Sequence, residues 1–419
     1  MVVRREIEEL EIPIFSRQSL AFCLMWVLSA ASNANEVTIV VNETAGLYRA
    51  GFPADIAFNW HKPVPRETRF KLKQNGRVVP AQFLPAESGE LIRRFQVDFR
   101  ATLSPYATAE FKVHRAISGE AIPDLKGFDL QRSESGLRLI NAPYLHWDVG
   151  EHLDGILQEF QFEDHDFWDP SRSGLVLKLA NGEELEVSGN QKSQVKVPKS
   201  GPWSTQLIYS SQALDLGLKN VHSNVSLIFD VSRSWVQIDW RVYDPAREVK
   251  ALAVPMKLKL SEPSRKAPTL IDFGTSTQLY SKLLQGQAAE LRGNYFKVAR
   301  EGQYTWEVFQ GVESSMKQLA VGAQQPGARF QAEGWAHIMD SKKCLALAVD
   351  KFGHDSNDLL KLSADGKIYL QRTPVARERL CASKYLHLRF WLHFVFNPQE
   401  VSAATSPQSM KTPLGVHLK

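Results

Sequence analysis

The clearest pattern along the chain is a strict period of two. Leu386, Leu388, Phe390, Leu392, Phe394 and Phe396 alternate with His387, Arg389, Trp391 and His393. Val236, Ile238, Trp240 and Val242 repeat the pattern. Successive side chains of a strand point to opposite faces, so each run predicts a strand with one packed face. Three dipeptides fall between alternating runs: Asn75-Gly76, Asn181-Gly182 and Asp365-Gly366. These residue types tolerate positive φ, and each pair predicts a type I′ hairpin. Helical periodicity is nearly absent; residues 276–290 carry the one weak helical pattern. Many short strands with closely spaced turns predict an all-β protein, a sandwich or a barrel. Ser118-Gly-Glu120 and Ser133-Glu-Ser-Gly136 flank a weakly patterned stretch. They place a linker at 118–135, after a small β-barrel domain at 35–117 and before a large antiparallel β-sandwich at 136–397. The tail 398–419, rich in Ser, Thr, Ala and Pro, is expected to be disordered.

Composition narrows the class. The chain has 419 residues, 43% apolar and 23% charged. That excludes disordered, collagen-like and coiled-coil proteins and leaves room for several domains. The net charge is +4 with the basic residues dispersed, which argues against a nucleic-acid partner. Residues 20–31 form a short apolar run, preceded by Arg17 and followed by Ser32-Asn33-Ala34. The run is shorter than the roughly 20 residues a membrane helix needs. It predicts a signal peptide at 1–34, cleaved after Ala34, no transmembrane segment, and a secreted or periplasmic product. Glu6, Glu8, Glu9 and Glu11 make its start atypical. Cleavage removes Cys23 and leaves Cys344 and Cys381, either one disulfide or two buried thiols.

No metal signature, Gly-x-Ser-x-Gly elbow, P-loop or dinucleotide fingerprint is present in the sequence. The densest polar and aromatic stretch is 144–172. It holds Tyr144, His146, Trp147, Asp148, His152, His165, Trp168 and Asp169 among further carboxylates. Trp faces stack on pyranose rings while carboxylates and His bond hydroxyls, so Tyr144, Trp147, Asp148, Trp168 and Asp169 are candidate sugar contacts. The same carboxylates could ligate Ca²⁺, and His146 or His165 could act as a base. The competing reading is an acidic surface loop with its tryptophans packed beneath. Trp335 and His337 form a second spot, set against a strand with a core Trp. Lys384 with His387, Arg389 and His393 forms a third, where Arg389 could fork onto a carboxylate if that face lines a cleft.

These segments also carry a resemblance. Val37-Thr-Ile-Val-Val-Asn-Glu-Thr-Ala-Gly46, Asn75-Gly-Arg-Val-Val-Pro-Ala-Gln-Phe83 and Phe95-Gln-Val-Asp-Phe99 resemble the N-terminal RIFT-barrel domain of exo-rhamnogalacturonan lyase and YetA-like proteins. Val197-Pro-Lys-Ser-Gly-Pro202, Glu333-Gly-Trp-Ala-His-Ile-Met-Asp340, Ala348-Val-Asp-Lys-Phe352 and Ala382-Ser-Lys384 resemble segments of that family's central β-sandwich. Where family members show Asp-Phe-Trp, this chain has Lys351-Phe-Gly-His354, and no (α/α) toroid follows the sandwich. The resemblance implies a secreted carbohydrate-associated protein acting on acidic pectic glycans by β-elimination. No catalytic motif of the family is matched; from local clustering alone, His146, His165 or His337 could be the base, and Arg389 or Lys384 could neutralise the uronate. The alternative it implies is a non-catalytic polysaccharide- or oligosaccharide-binding or scaffold protein, working with a separately encoded helical domain.

Overall fold

The computed structural model describes residues 36–117, 127–134, 136–141, 144–153, 155–187, 195–211, 218, 220–231, 233–276, 278–295, 304–324, 331–375, 385–396 and 407–419. The expected signal peptide, Cys381 and Lys384 lie outside them. Among the described residues helix is confined to a 3-10 turn, Pro170–Arg172, and one helical turn, Pro407–Lys411. Nearly everything else with regular structure is antiparallel strand.

The period of two builds the main layer. Strand Tyr385–Phe396 lies between Trp235–Tyr243 and Lys343–Val349 near the centre of a nine-stranded sheet. Leu386, Leu388, Phe390, Leu392 and Phe394 turn to one buried face. An eight-stranded sheet, with Val249–Lys257 and Lys367–Pro374 near its middle, contributes Leu252, Val254, Leu360 and Leu370 to the same core. A five-stranded sheet, from Asp129–Ser133 to His165–Asp166, joins that core through Leu139, Trp147 and Phe160. Each such side chain removed from water contributes about 1.5–3 kcal/mol.

A smaller unit has its own pair of sheets. Glu36–Asn42, Thr108–Arg115, Phe70–Gln74 and Arg77–Val79 form one; Arg49–Pro65, Leu91–Leu103 and Ala81–Pro85 form the other. They enclose Phe58, Phe70, Phe95, Phe99 and Phe111. This core is not closed by the unit's own residues. Trp235, Trp335 and Trp391, on the outer face of the nine-stranded sheet, and Met410 and Leu414 belong to it as well.

Several expectations are corrected. The described residues of 276–290 are not helical: they form Gln278–Leu283 and part of Gln287–Gly293, where tertiary pairing overrides a weak local pattern. Asp129–Ser133, placed in the linker, pairs with Gly136–Asn141 as a strand. The tail is ordered over 407–419. Met410 and Leu414 dock into the smaller core, and Gly415–Leu418 pairs with Glu36–Asn42. Its polar composition concealed two apolar anchors. All three turn dipeptides connect paired strands. In Asn75-Gly76 both φ values are positive, as type I′ requires; at Asn181-Gly182 and Asp365-Gly366 only the glycine's is, so those hairpins use longer loops.

Candidate functional site

The residues of 144–172 do not form one site. Along Leu145–Gly150, Leu145, Trp147 and Val149 point into the core, and His146 and Asp148 take the opposite face. Trp147 is fully buried, with ring centroids 4.3 Å from Phe160 and 5.2 Å from Phe229. Trp168 is also fully buried, and its Nε1 donates to Leu157 O at 2.9 Å. Neither indole can stack on a sugar, which corrects the reading of both as sugar contacts. Tyr144 is exposed. Asp148 is held by Arg138 through bonds of 2.6 and 2.5 Å. His146 Nε2 lies 3.8 Å from Glu159 Oε2. His165 stacks on Phe396 at 4.2 Å, and Asp169 caps the 3-10 turn by accepting from Ser171 N and Oγ. Beside these groups runs an open groove of about 1130 Å³ whose cations Arg132, Arg138 and Lys259 bond Glu151, Asp148 and Asp166.

The other expected residues are equally dispersed. Trp335 packs in the smaller core and donates through Nε1 to Glu333 Oε2 at 2.5 Å. His337 is buried, its Nδ1 3.5 Å from Asp272 Oδ2. Arg389 binds Asp239 Oδ2 through Nε at 2.9 Å and Nη2 at 2.7 Å. Burial opposes ionisation of Asp239, but hydrogen bonds from His387, Arg241 and Arg389 prevail and hold its carboxyl well below the usual range. Cys344 is a buried free thiol that burial pushes up to about 12, which makes it inert as a nucleophile. Among the described residues no three His, Cys, Asp or Glu side chains converge as a cation site requires.

The described side chains do converge elsewhere, at a cavity of about 600 Å³ between the smaller unit and the nine-stranded sheet. Strand Leu91–Leu103 supplies Asp98 and Arg100, two residues apart and therefore on one face. Each crosses the junction. Asp98 Oδ2 lies 2.5 Å from Lys199 Nζ, and Arg100 is paired with Asp230. Both carboxylates are more than nine-tenths buried. Burial raises Asp98 against the pull of Lys199, and burial raises Asp230 to about 6 against Arg100 and Arg233. Three indoles line the same space. Trp203 lies under the Arg100 guanidinium at 5.0 Å, Trp235 meets Phe52 edge-on at 5.7 Å, and Trp391 donates to Gln237 Oε1 at 3.0 Å. Met410 and Pro413 of the C-terminal segment close one wall.

Sequence reasoning missed this cavity because its parts are far apart in the chain. One signal was present. Trp235 and Trp391 stand on the polar phase of their alternating strands, and an indole there needs a cover.

No family model matches the chain, and no curated protein matches it in sequence. Among solved structures, a protein in the glycosyl hydrolase family 38 from Enterococcus faecalis is similar in fold, with a TM-score of 0.57 at 9% identity. The match covers 96% of this chain and 50% of that one, so the chain spans half of that structure's length. A GalM/aldose epimerase homologue from C. elegans aligns at 11% identity with a TM-score of 0.36, covering 62% of this chain and 98% of its own. A putative aldose 1-epimerase from Escherichia coli K12 aligns at 11% identity with a TM-score of 0.32, covering 60% and 96%.

Proposed function

We propose that this is a secreted carbohydrate-binding protein whose glycan site is the cavity between its two β units. The observation that carries the proposal is the conjunction of three indoles and two buried, cross-paired carboxylates around one space of about 600 Å³. That volume suits a small ligand, and apolar walls with a few fixed polar groups are what sugar rings need. The two-part build agrees with the RIFT-barrel and sandwich portion of exo-rhamnogalacturonan lyase and YetA-like proteins. The fold shared with a glycosyl hydrolase family 38 protein agrees with a place in glycan processing. Secretion rests on the signal-peptide pattern of residues 20–34. Among the described residues no helix is long and apolar enough to cross a membrane.

Binding is favoured over β-elimination by the dispersal of the expected machinery. A lyase needs a base and a cation at one carbon. Instead His146 stands 3.8 Å from Glu159 and His337 3.5 Å from Asp272, His165 stacks on Phe396 and Arg389 is bonded to Asp239, each in a different part of the described fold.

Calorimetric titration of the full chain with a panel of oligosaccharides tests the reading, with ultraviolet absorbance followed for unsaturated uronate products. Trp203→Ala, at a half-buried position, is expected to weaken binding at least tenfold, about 1.4 kcal/mol. Tyr144→Ala, in the exposed turn before Leu145–Gly150, is expected to leave it unchanged. Binding that survives Trp203→Ala, or no binding to any glycan, overturns the cavity assignment. Product absorbance would restore the lyase reading.

A further inference from the structure

We infer that the cavity selects uncharged glycans and rejects uronates; this rests on the glycan-binding reading above. Three cations line it, Arg66, Arg100 and Lys199, facing three carboxylates, Asp55, Asp98 and Asp230. The two cations at the junction are already engaged. Arg100 donates to Gly51 O at 3.2 Å and to the Asp230 carboxylate and Val231 O, so its charge is paired and three of its five N–H donors are taken. Lys199 sits on Asp98. Arg66 donates to Glu87 O at 3.0 Å on the exposed rim. An entering uronate would lose its hydration, gain no unpaired buried cation, and meet two buried carboxylates. That combination is costly.

The remaining polar groups are uncharged and suit hydroxyls, which donate and accept. Gln237 receives Trp391 through Oε1, which leaves its NH₂ to donate. Gln206 donates through Nε2 to Ser226 Oγ at 2.8 Å, which leaves Oε1 to accept. Gln96 donates to Asp55 Oδ2 at 2.7 Å and likewise keeps Oε1. Trp203 Nε1 is buried without a hydrogen-bond partner. Asp98 is thus a specificity-determining residue: by occupying Lys199 it denies that ammonium to an acidic ligand.

The test is calorimetry on the full chain with two probes matched in length, neutral hexose oligosaccharides and oligogalacturonates. The native chain should bind the neutral probe at least tenfold more tightly. Asp98→Asn keeps the shape and releases Lys199, so its affinity for oligogalacturonate should rise relative to its affinity for the neutral probe. Lys199→Gln should leave oligogalacturonate rejected; a native site that used Lys199 for a carboxylate would instead lose that ligand. Equal or tighter binding of oligogalacturonate by the native chain overturns the inference and leaves the glycan reading standing. Binding of neither probe overturns both. If Asp98→Asn does not fold, the native preference and Lys199→Gln still decide.

Discussion

Asp239 and Asp230 occupy neighbouring strands of one sheet, yet protons act on them in opposite senses. Asp239 is held below its ordinary value of 3.8 by His387, Arg241 and Arg389. Its stabilising contribution is therefore present above the unfolded value and lost as pH falls through the folded one. Asp230 is raised to about 6 by burial. Between about pH 4 and pH 6 the folded chain binds its proton more readily than the unfolded chain, so this group's contribution declines as pH rises through that window. Two substitutions separate the effects in thermal denaturation followed against pH. Asp239→Asn should lower Tm at pH 7 and flatten the acid limb below about pH 4. The Tm difference between Asp230→Asn and the native chain should move in the variant's favour as pH rises from about 4 to about 7. Parallel curves in either case would contradict the assignment.

Strands were legible wherever one face is apolar. The run 386–396 has the predicted alternation of burial, and the turn dipeptides fall at hairpins. The same rule should have dissolved the mixed site at 144–148, because neighbours on a strand face opposite ways. Trp147 and Asp148 cannot contact one ligand on one face. What alternation cannot carry is which outer face receives a second cover, since that depends on strands hundreds of residues away. Two of the segments quoted for the resemblance, 333–340 and 348–352, pack against each other. Gly334 has φ +71°, and a Cβ there would fall 2.1 Å from Phe352 Cβ, so Gly334 and Phe352 are mutual packing partners. Gly334→Ala should cost at least about 1–3 kcal/mol, through left-handed backbone strain and a clash with a buried ring. Urea unfolding midpoints would read the loss; an unchanged midpoint would mean that the contact is not made.

At the scale of the molecule, the smaller unit is completed from outside. Its core takes three tryptophans from the nine-stranded sheet, and its edge takes the C-terminal strand. Arg49, buried in that unit, donates to Ser409 O at 2.8 Å and to Thr412 O at 2.7 Å while paired with Glu43. Lys411 and Gln408 reach Glu333 on the other side, so the segment 407–418 straps both units together. Residues 36–117 produced alone should therefore show no cooperative unfolding transition by circular dichroism. A chain ending at 406 should lose several kcal/mol, because removal of Met410 and Leu414 alone costs about 2–5 kcal/mol each and Arg49 is left with unmet donors. A folded isolated 36–117 would refute this dependence.

The pairing of Glu36–Asn42 with Gly415–Leu418 also sets a clock. Asn42 and His417, within reach of each other in the finished fold, are 375 positions apart. At about 5–20 residues per second, the ribosome delivers the second strand roughly 20–75 s after the first. The first β unit to be made is thus the last to be sealed. During that interval its open edge and unfilled core must be kept from other chains, a task that falls to whatever holds the nascent protein.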